Sequence, residues 1–164
     1  MRRILTALVG MLALLMVANA DTVSELRPVI NEAAAKNGVD PVLMEAIIRL
    51  ESGNATSRAA RTKNNLAGIM GRKGQRTYGS KEECVHHLGS ILGKYKAKGR
   101  VTVAQIARSY CQARVPWTRR VTAMMGQIRA GRWGALEAPV SAPSPPADAE
   151  EGKAPRRRWS LFRS

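Results

Sequence analysis

An aspartate–proline pair at positions 40 and 41 and a glycine at position 53 bracket the stretch that most limits how this chain can fold. Asp40 offers an N-cap oxygen. Pro41 suits the first helical position, where its missing N–H would find no partner anyway, and Gly53 ends the run. Between them Leu43, Ala46, Ile47 and Leu50 recur at spacings of three and four, which places them on one apolar stripe of a helix. Glu51 falls on the last turn, four residues after Ile47, at the edge of that stripe.

A carboxylate in that position is poorly solvated and sits at the negative end of the helix dipole. Both effects disfavour its charged form. A carboxylic acid that keeps its proton near neutrality is what a glycosidase needs to protonate a leaving oxygen. The plain alternative is a solvated glutamate at a helix end.

Other segments carry similar punctuation. Residues 23–37 read as a short helix ended by Gly38, with Pro28 confined to its first turn because a deeper proline would break it. Residues 55–63 read as a brief helix or a loop. Ser80 with Glu83 forms a capping box opening a helix with Cys84, Leu88, Ile91, Leu92 and Tyr95 as its core stripe, and Thr102 with Gln105 repeats the pattern for a helix through Tyr110. Pro116-Trp117 leads into a last helix, with Val121, Met124, Met125 and Ile128 inward, ended by Gly131. Residues 64–79 are the least helical, and their glycines at 68, 71, 74 and 79 suit tight turns and close approach to a ligand. The chain is therefore expected to be all-α or mainly α, with a short glycine-rich loop or β-hairpin lobe. With 4% aromatic residues, its core must be aliphatic.

Phosphate-loop, zinc and nucleophile–histidine motifs are absent. His86 and His87 are adjacent on a helix and point about 100° apart, a poor arrangement for sharing one ion. No metal and no cofactor is expected.

Several pieces of this sequence occur together in a telling order. Ala46-Ile47-Ile48 runs into Glu51-Ser52-Gly53, followed by Ser57 and Asn64-Asn65-Leu66-Ala67-Gly68-Ile69. Then come Thr77-Tyr78-Gly79-Ser80-Lys81-Glu82-Glu83 and, last, Ser109-Tyr110. In these pieces the chain resembles the glucosaminidase family of bacterial cell-wall hydrolases (glycoside hydrolase family 73, mannosyl-glycoprotein endo-β-N-acetylglucosaminidase-like), over roughly residues 40–128. The resemblance implies a small lysozyme-like helical domain that cuts the glycan strand of peptidoglycan, with Glu51 as general acid and Tyr110 as the active-site tyrosine. On its own residues, Tyr110 reads equally as a core aromatic with a satisfied hydroxyl.

Substrate contact is expected from Asn64, Asn65, Gly68, Tyr78 and Trp117. The two amides can donate to and accept from sugar hydroxyls and acetamido groups, or they can close a turn. Trp117 offers a stacking face for sugar, with core or rim packing as its alternative, and Trp133 reads the same way. Arg61, Lys63, Arg72, Lys73 and Arg76 crowd the loop as surface charge, with one or two placed to meet a peptide-stem carboxylate.

Between Glu51 and Tyr110 the only other acids are Glu82 and Glu83, both structural in this reading. That weakens a fixed second carboxylate and leaves Glu51 nearly alone, aided by the substrate acetamido group or by Tyr110. A single-acid site also fits a lytic transglycosylase, in which the glycan's 6-hydroxyl attacks and leaves an anhydro end. The Asn-Asn-Leu-Ala-Gly-Ile loop favours the glucosaminidase. A non-catalytic peptidoglycan-binding module is a third reading, opposed by the joint presence of Glu51, Asn64, Asn65 and Tyr110.

The ends of the chain have their own character. Arg2 and Arg3 precede an apolar run that closes on Ala18-Asn19-Ala20, the pattern of a cleaved export signal over residues 1–20. The catalytic domain is then expected over 21–134, an Ala/Pro-rich disordered linker over 135–155, and a basic aromatic tail over 156–164. After residue 20 there are 25 basic and 12 acidic residues, a formal charge of about +13. Such a charge calls for an anionic partner. Export argues against nucleic acid and for a wall polymer or membrane surface, reached in part through the tail. The product is expected to be periplasmic or extracellular, wall-associated and monomeric. Export also favours a disulfide between Cys84 and Cys111, the chain's two cysteines.

Overall fold

The structure, a computed structural model, describes residues 21–134. The expected signal peptide (1–20), linker (135–155) and tail (156–164) lie outside the described residues. Seven helices and one two-stranded hairpin make up the domain, in the order α1 (Thr22–Glu25), α2 (Arg27–Asn37), α3 (Pro41–Ser52), α4 (Arg58–Lys63), β1 (Met70–Gly71), β2 (Gly74–Gln75), α5 (Lys81–Ala97), α6 (Val103–Tyr110) and α7 (Arg114–Arg129). The strands pair antiparallel, Met70 opposite Gln75 and Gly71 opposite Gly74. This is the mainly helical fold expected, with the loop resolved as a small β-hairpin.

Helix α3 is the axis. Asp40 Oδ1 accepts the Val42 N–H at 2.8 Å, and Gly53 closes the helix in the left-handed region at φ 57°. Leu43, Ala46 and Ile47 are buried as the stripe requires, Leu50 is half-buried, and Val42, Met44 and Ile48 are buried as well. The helix is thus covered nearly all round, by α2 on one side and α7 on the other. Helix α2 in turn lies along α5. A Cβ at Gly89 of α5 would stand 3.1 Å from the Ala33 carbonyl oxygen of α2, so the two backbones meet where a side chain is missing.

Two helix boundaries differ from the sequence reading. The first helix is split at Leu26 (φ −84°, ψ −2°), because Pro28 occupies the first turn of α2 and its ring cannot sit inside a longer helix. The last helix begins at Arg114, ahead of Pro116, which the first turn tolerates since N–H groups there have no helical acceptor. Of the two expected capping boxes, that of Thr102 forms in full and that of Ser80 only in its first half. Thr102 and Gln105 bond reciprocally. Ser80 Oγ accepts the Glu83 N–H, while the Glu83 carboxylate takes the Gly79 N–H at 2.7 Å.

The expected disulfide is not formed: Cys84 and Cys111 are free thiols. Cys84 is buried and its Sγ accepts the Leu66 N–H at 3.3 Å, so the sulfur is committed to the loop backbone. Cys111 instead ends α6 on extended backbone (φ −143°) and stays part-exposed.

Charge is also buried against α3, where periodicity showed only an apolar stripe. Glu45 and Arg49 of this helix are 2% and 1% exposed. Arg49 Nε donates to Glu45 Oε1 at 2.8 Å, and Arg27 donates to both Glu45 oxygens at 3.0 and 3.1 Å. Arg49 further donates to Asp21 Oδ2 at 3.0 Å and Ser24 Oγ at 2.9 Å, and its guanidinium lies 4.3 Å from the Trp133 ring centre. The Arg27 Nη1 reaches the Gly134 carbonyl at 3.4 Å. Both ends of the described chain are therefore fastened to the helix that carries Glu51.

Candidate active site

Glu51 emerges half-buried from the last turn of α3. The backbone reverses immediately after it through three consecutive left-handed residues, Gly53 (φ 57°), Asn54 (φ 55°) and Ala55 (φ 66°). Left-handed Asn54 and Ala55 cost conformational energy, and local bonds hold them: Ser52 Oγ accepts the Ala55 N–H at 2.8 Å, and Asn54 Oδ1 accepts from Arg49 at 3.3 Å.

Three residues distant in sequence converge on the Glu51 carboxylate. The Trp117 indole Nε1–H donates to Oε1 at 2.6 Å, although 66 residues separate them. On the other side stands Gly68 (φ 62°), where a Cβ would fall 3.2 Å from Oε2. The Tyr110 ring lies against Trp117, centres 5.2 Å apart and planes at 30°, and its hydroxyl donates to the Ala67 carbonyl at 2.5 Å. Burial and then the charge of Glu51 push the Tyr110 phenol well above its ordinary pKa, so it stays protonated.

The asparagine pair shapes this wall. Asn65 is 1% exposed, donates through Nδ2 to the carbonyls of Ile69 and Arg76, both at 2.8 Å, and accepts the Ile69 N–H at 3.0 Å. Asn64 ends α4 in the left-handed region (φ 50°) and donates to the carbonyls of Tyr78 and Gly79. These bonds are the turn-closing role that the sequence left open. Tyr78 is buried, its hydroxyl 2.7 Å from His87 Nδ1, and burial pushes its phenol up to about 12. Of the residues singled out beforehand, Glu51, Gly68, Tyr110 and Trp117 form one cluster, whereas Asn64, Asn65 and Tyr78 hold the loop behind it.

The other acids of the region have separate work. Glu83 accepts the Gly79 N–H just ahead of α5, and Glu82 is exposed, its carboxyl held below the usual range by its own backbone N–H and by Ser80. The Trp117–Glu51 bond is what sequence reading did not find, since no spacing rule links an α3 carboxylate to an α7 indole.

Gly68 gives a direct test of this geometry. Gly68→Ala places a left-handed alanine, costing about 1–2 kcal/mol, against Oε2. Turnover is expected to fall about tenfold to a hundredfold, since small misplacements of a catalytic group have effects of that order. Turnover equal to wild type would mean that the close approach has no catalytic importance.

A family model described as glucosaminidase, mannosyl-glycoprotein endo-beta-N-acetylglucosaminidase, matches residues 27–130, more than half of the chain. No curated protein matches it.

Proposed function

From the premise that this chain belongs to the glucosaminidase family, we propose that it is an exported cell-wall hydrolase cutting the glycan strand of peptidoglycan between sugars, with Glu51 as its general acid. The observation that carries the reading is the asymmetric setting of that carboxylate. Oε1 is held by the Trp117 indole, while Oε2 faces a position without a side chain, Gly68. A proton on Oε2 can therefore meet a bridging glycosidic oxygen that any larger residue at 68 would obstruct.

The reaction then follows from charge. Glu51 gives its proton to the bridging oxygen as the bond to the anomeric carbon breaks, and positive charge grows on that carbon and its ring oxygen. The substrate acetamido oxygen or the Tyr110 hydroxyl oxygen offsets that charge. Water completes the hydrolysis, adding its oxygen to the anomeric carbon and giving a proton back to the Glu51 carboxylate. The signal-like residues 1–20 and the surplus of positive charge support action at an anionic wall.

The single carboxylate in the cluster also fits a lytic transglycosylase, and the products separate the two. Purified peptidoglycan digested by the protein is expected to yield fragments with reducing N-acetylglucosamine ends by mass analysis. Anhydro ends would transfer the assignment to the transglycosylase, and no fragments at all would leave a binding module.

A further inference from the structure

We propose that the groove on the outer side of the α6–α7 hairpin is a second binding site, for the acidic stem peptide borne by peptidoglycan glycan. This extends the substrate reading above and rests on it. The groove encloses about 310 Å³ and is lined by Ala104 and Arg108 of α6 and by Arg114, Val115, Thr118 and Arg119 of α7, a volume at the small end of those that take ligands. It lies on the faces turned away from the core: Ile106, Ala107, Trp117 and Val121 are buried, whereas Val115 is 69% exposed.

Among the described residues, none of Arg108, Arg114 and Arg119 has an ion-pair partner. Their own stretch of chain offers none, for residues 84–134 hold ten lysines and arginines and not one aspartate or glutamate. The ion pair made from this part of the chain, Arg129 with Asp40, borrows its acid from the start of α3. A concave surface of one sign concentrates anions, and guanidinium forks bind carboxylates in a bidentate manner.

The lining also selects among anions. Ala104 and Val115 offer apolar contact between the guanidiniums, which a small side chain can use and a polyphosphate chain cannot. A stem peptide combines alanine methyls with an acidic residue and a free terminal carboxylate, so it meets both features. The hairpin that forms this groove also presents Tyr110 and Trp117 to Glu51. A peptide held on its outer side tethers the polymer to the same hairpin that contacts Glu51.

Titration calorimetry of the full chain with a free, sugar-less stem tetrapeptide tests the site apart from catalysis. Binding is expected at low salt, weakened about tenfold or more by Arg108→Gln with Arg119→Gln and also by Val115→Glu, which sets an acid among the arginines. Cleavage of peptide-stripped glycan strands by these variants is expected to match wild type. Undetectable peptide binding, equal affinity in the variants, or capture of a polyglycerol-phosphate polymer in place of the peptide overturns the proposal. Peptide binding with the expected losses, but without cleavage of stripped strands by wild type, upholds the groove while removing the hydrolase reading.

Discussion

Glu51→Gln is expected to cut the release of glycan fragments by about a hundredfold or more, the scale on which general-acid catalysis operates, while leaving thermal stability little changed. The amide copies the carboxylate's shape, and its oxygen can still accept the Trp117 N–H that now stands 2.6 Å from Oε1. Position therefore survives and the transferable proton does not. A folded Glu51→Gln protein that releases fragments at the wild-type rate would move the acid to another residue. A Trp117 contact that mattered merely for packing would show itself differently, by lowering stability and rate together.

The largest effect on stability is expected away from the site, at Glu45→Ala. Glu45 accepts from Arg27 and Arg49, and the Arg49 side chain is completely buried. Removing the shared acid takes one counter-charge from both guanidiniums in a medium that solvates them badly, and leaves Arg49 with the partly solvated Asp21 alone. Breaking a buried pair in this way costs about 3–5 kcal/mol, a large share of the about 5–15 kcal/mol that holds a domain together. Chemical denaturation measures it directly, and a loss below about 1 kcal/mol would show that the arginines find other partners. Asp21, partly solvated, contributes less: burial raises its pKa, but Arg49 and the N–H groups of Ser24 and Val23 outweigh that and hold its carboxyl below the ordinary value. A lowered pKa means that this contribution is present above the unfolded value and fades as the pH falls through the folded one.

The same network braces the helix that carries Glu51. Arg49 is two residues from Glu51, and through it α1, the turn at Asn54 and the ring of Trp133 are all joined to the last turns of α3. Loosening the network by Glu45→Ala is thus expected to free the backbone on which Glu51 is mounted.

What the sequence determined by itself was local. Asp40, Ser80, Thr102 and their glycine, glutamate or glutamine counterparts mark helix ends because capping bonds span two to four residues, and apolar spacing marks inward faces because a helix repeats every few residues. The position of Glu51 at the end of an apolar helix, and the family order of the motifs around it, were legible for the same reason. Tertiary structure alone decided which groups meet. The Trp117 indole reaches Glu51 across 66 residues, Tyr110 reaches Ala67 across 43, and Glu45 is buried between arginines that a periodic pattern would have placed in water. It also turned the Cys84 sulfur toward the Leu66 N–H and not toward Cys111. Hydrogen bonds and ion pairs are short-ranged and directional, so they depend on where α3, α6, α7 and the Asn64–Gly68 loop come to rest. No spacing along a chain encodes that.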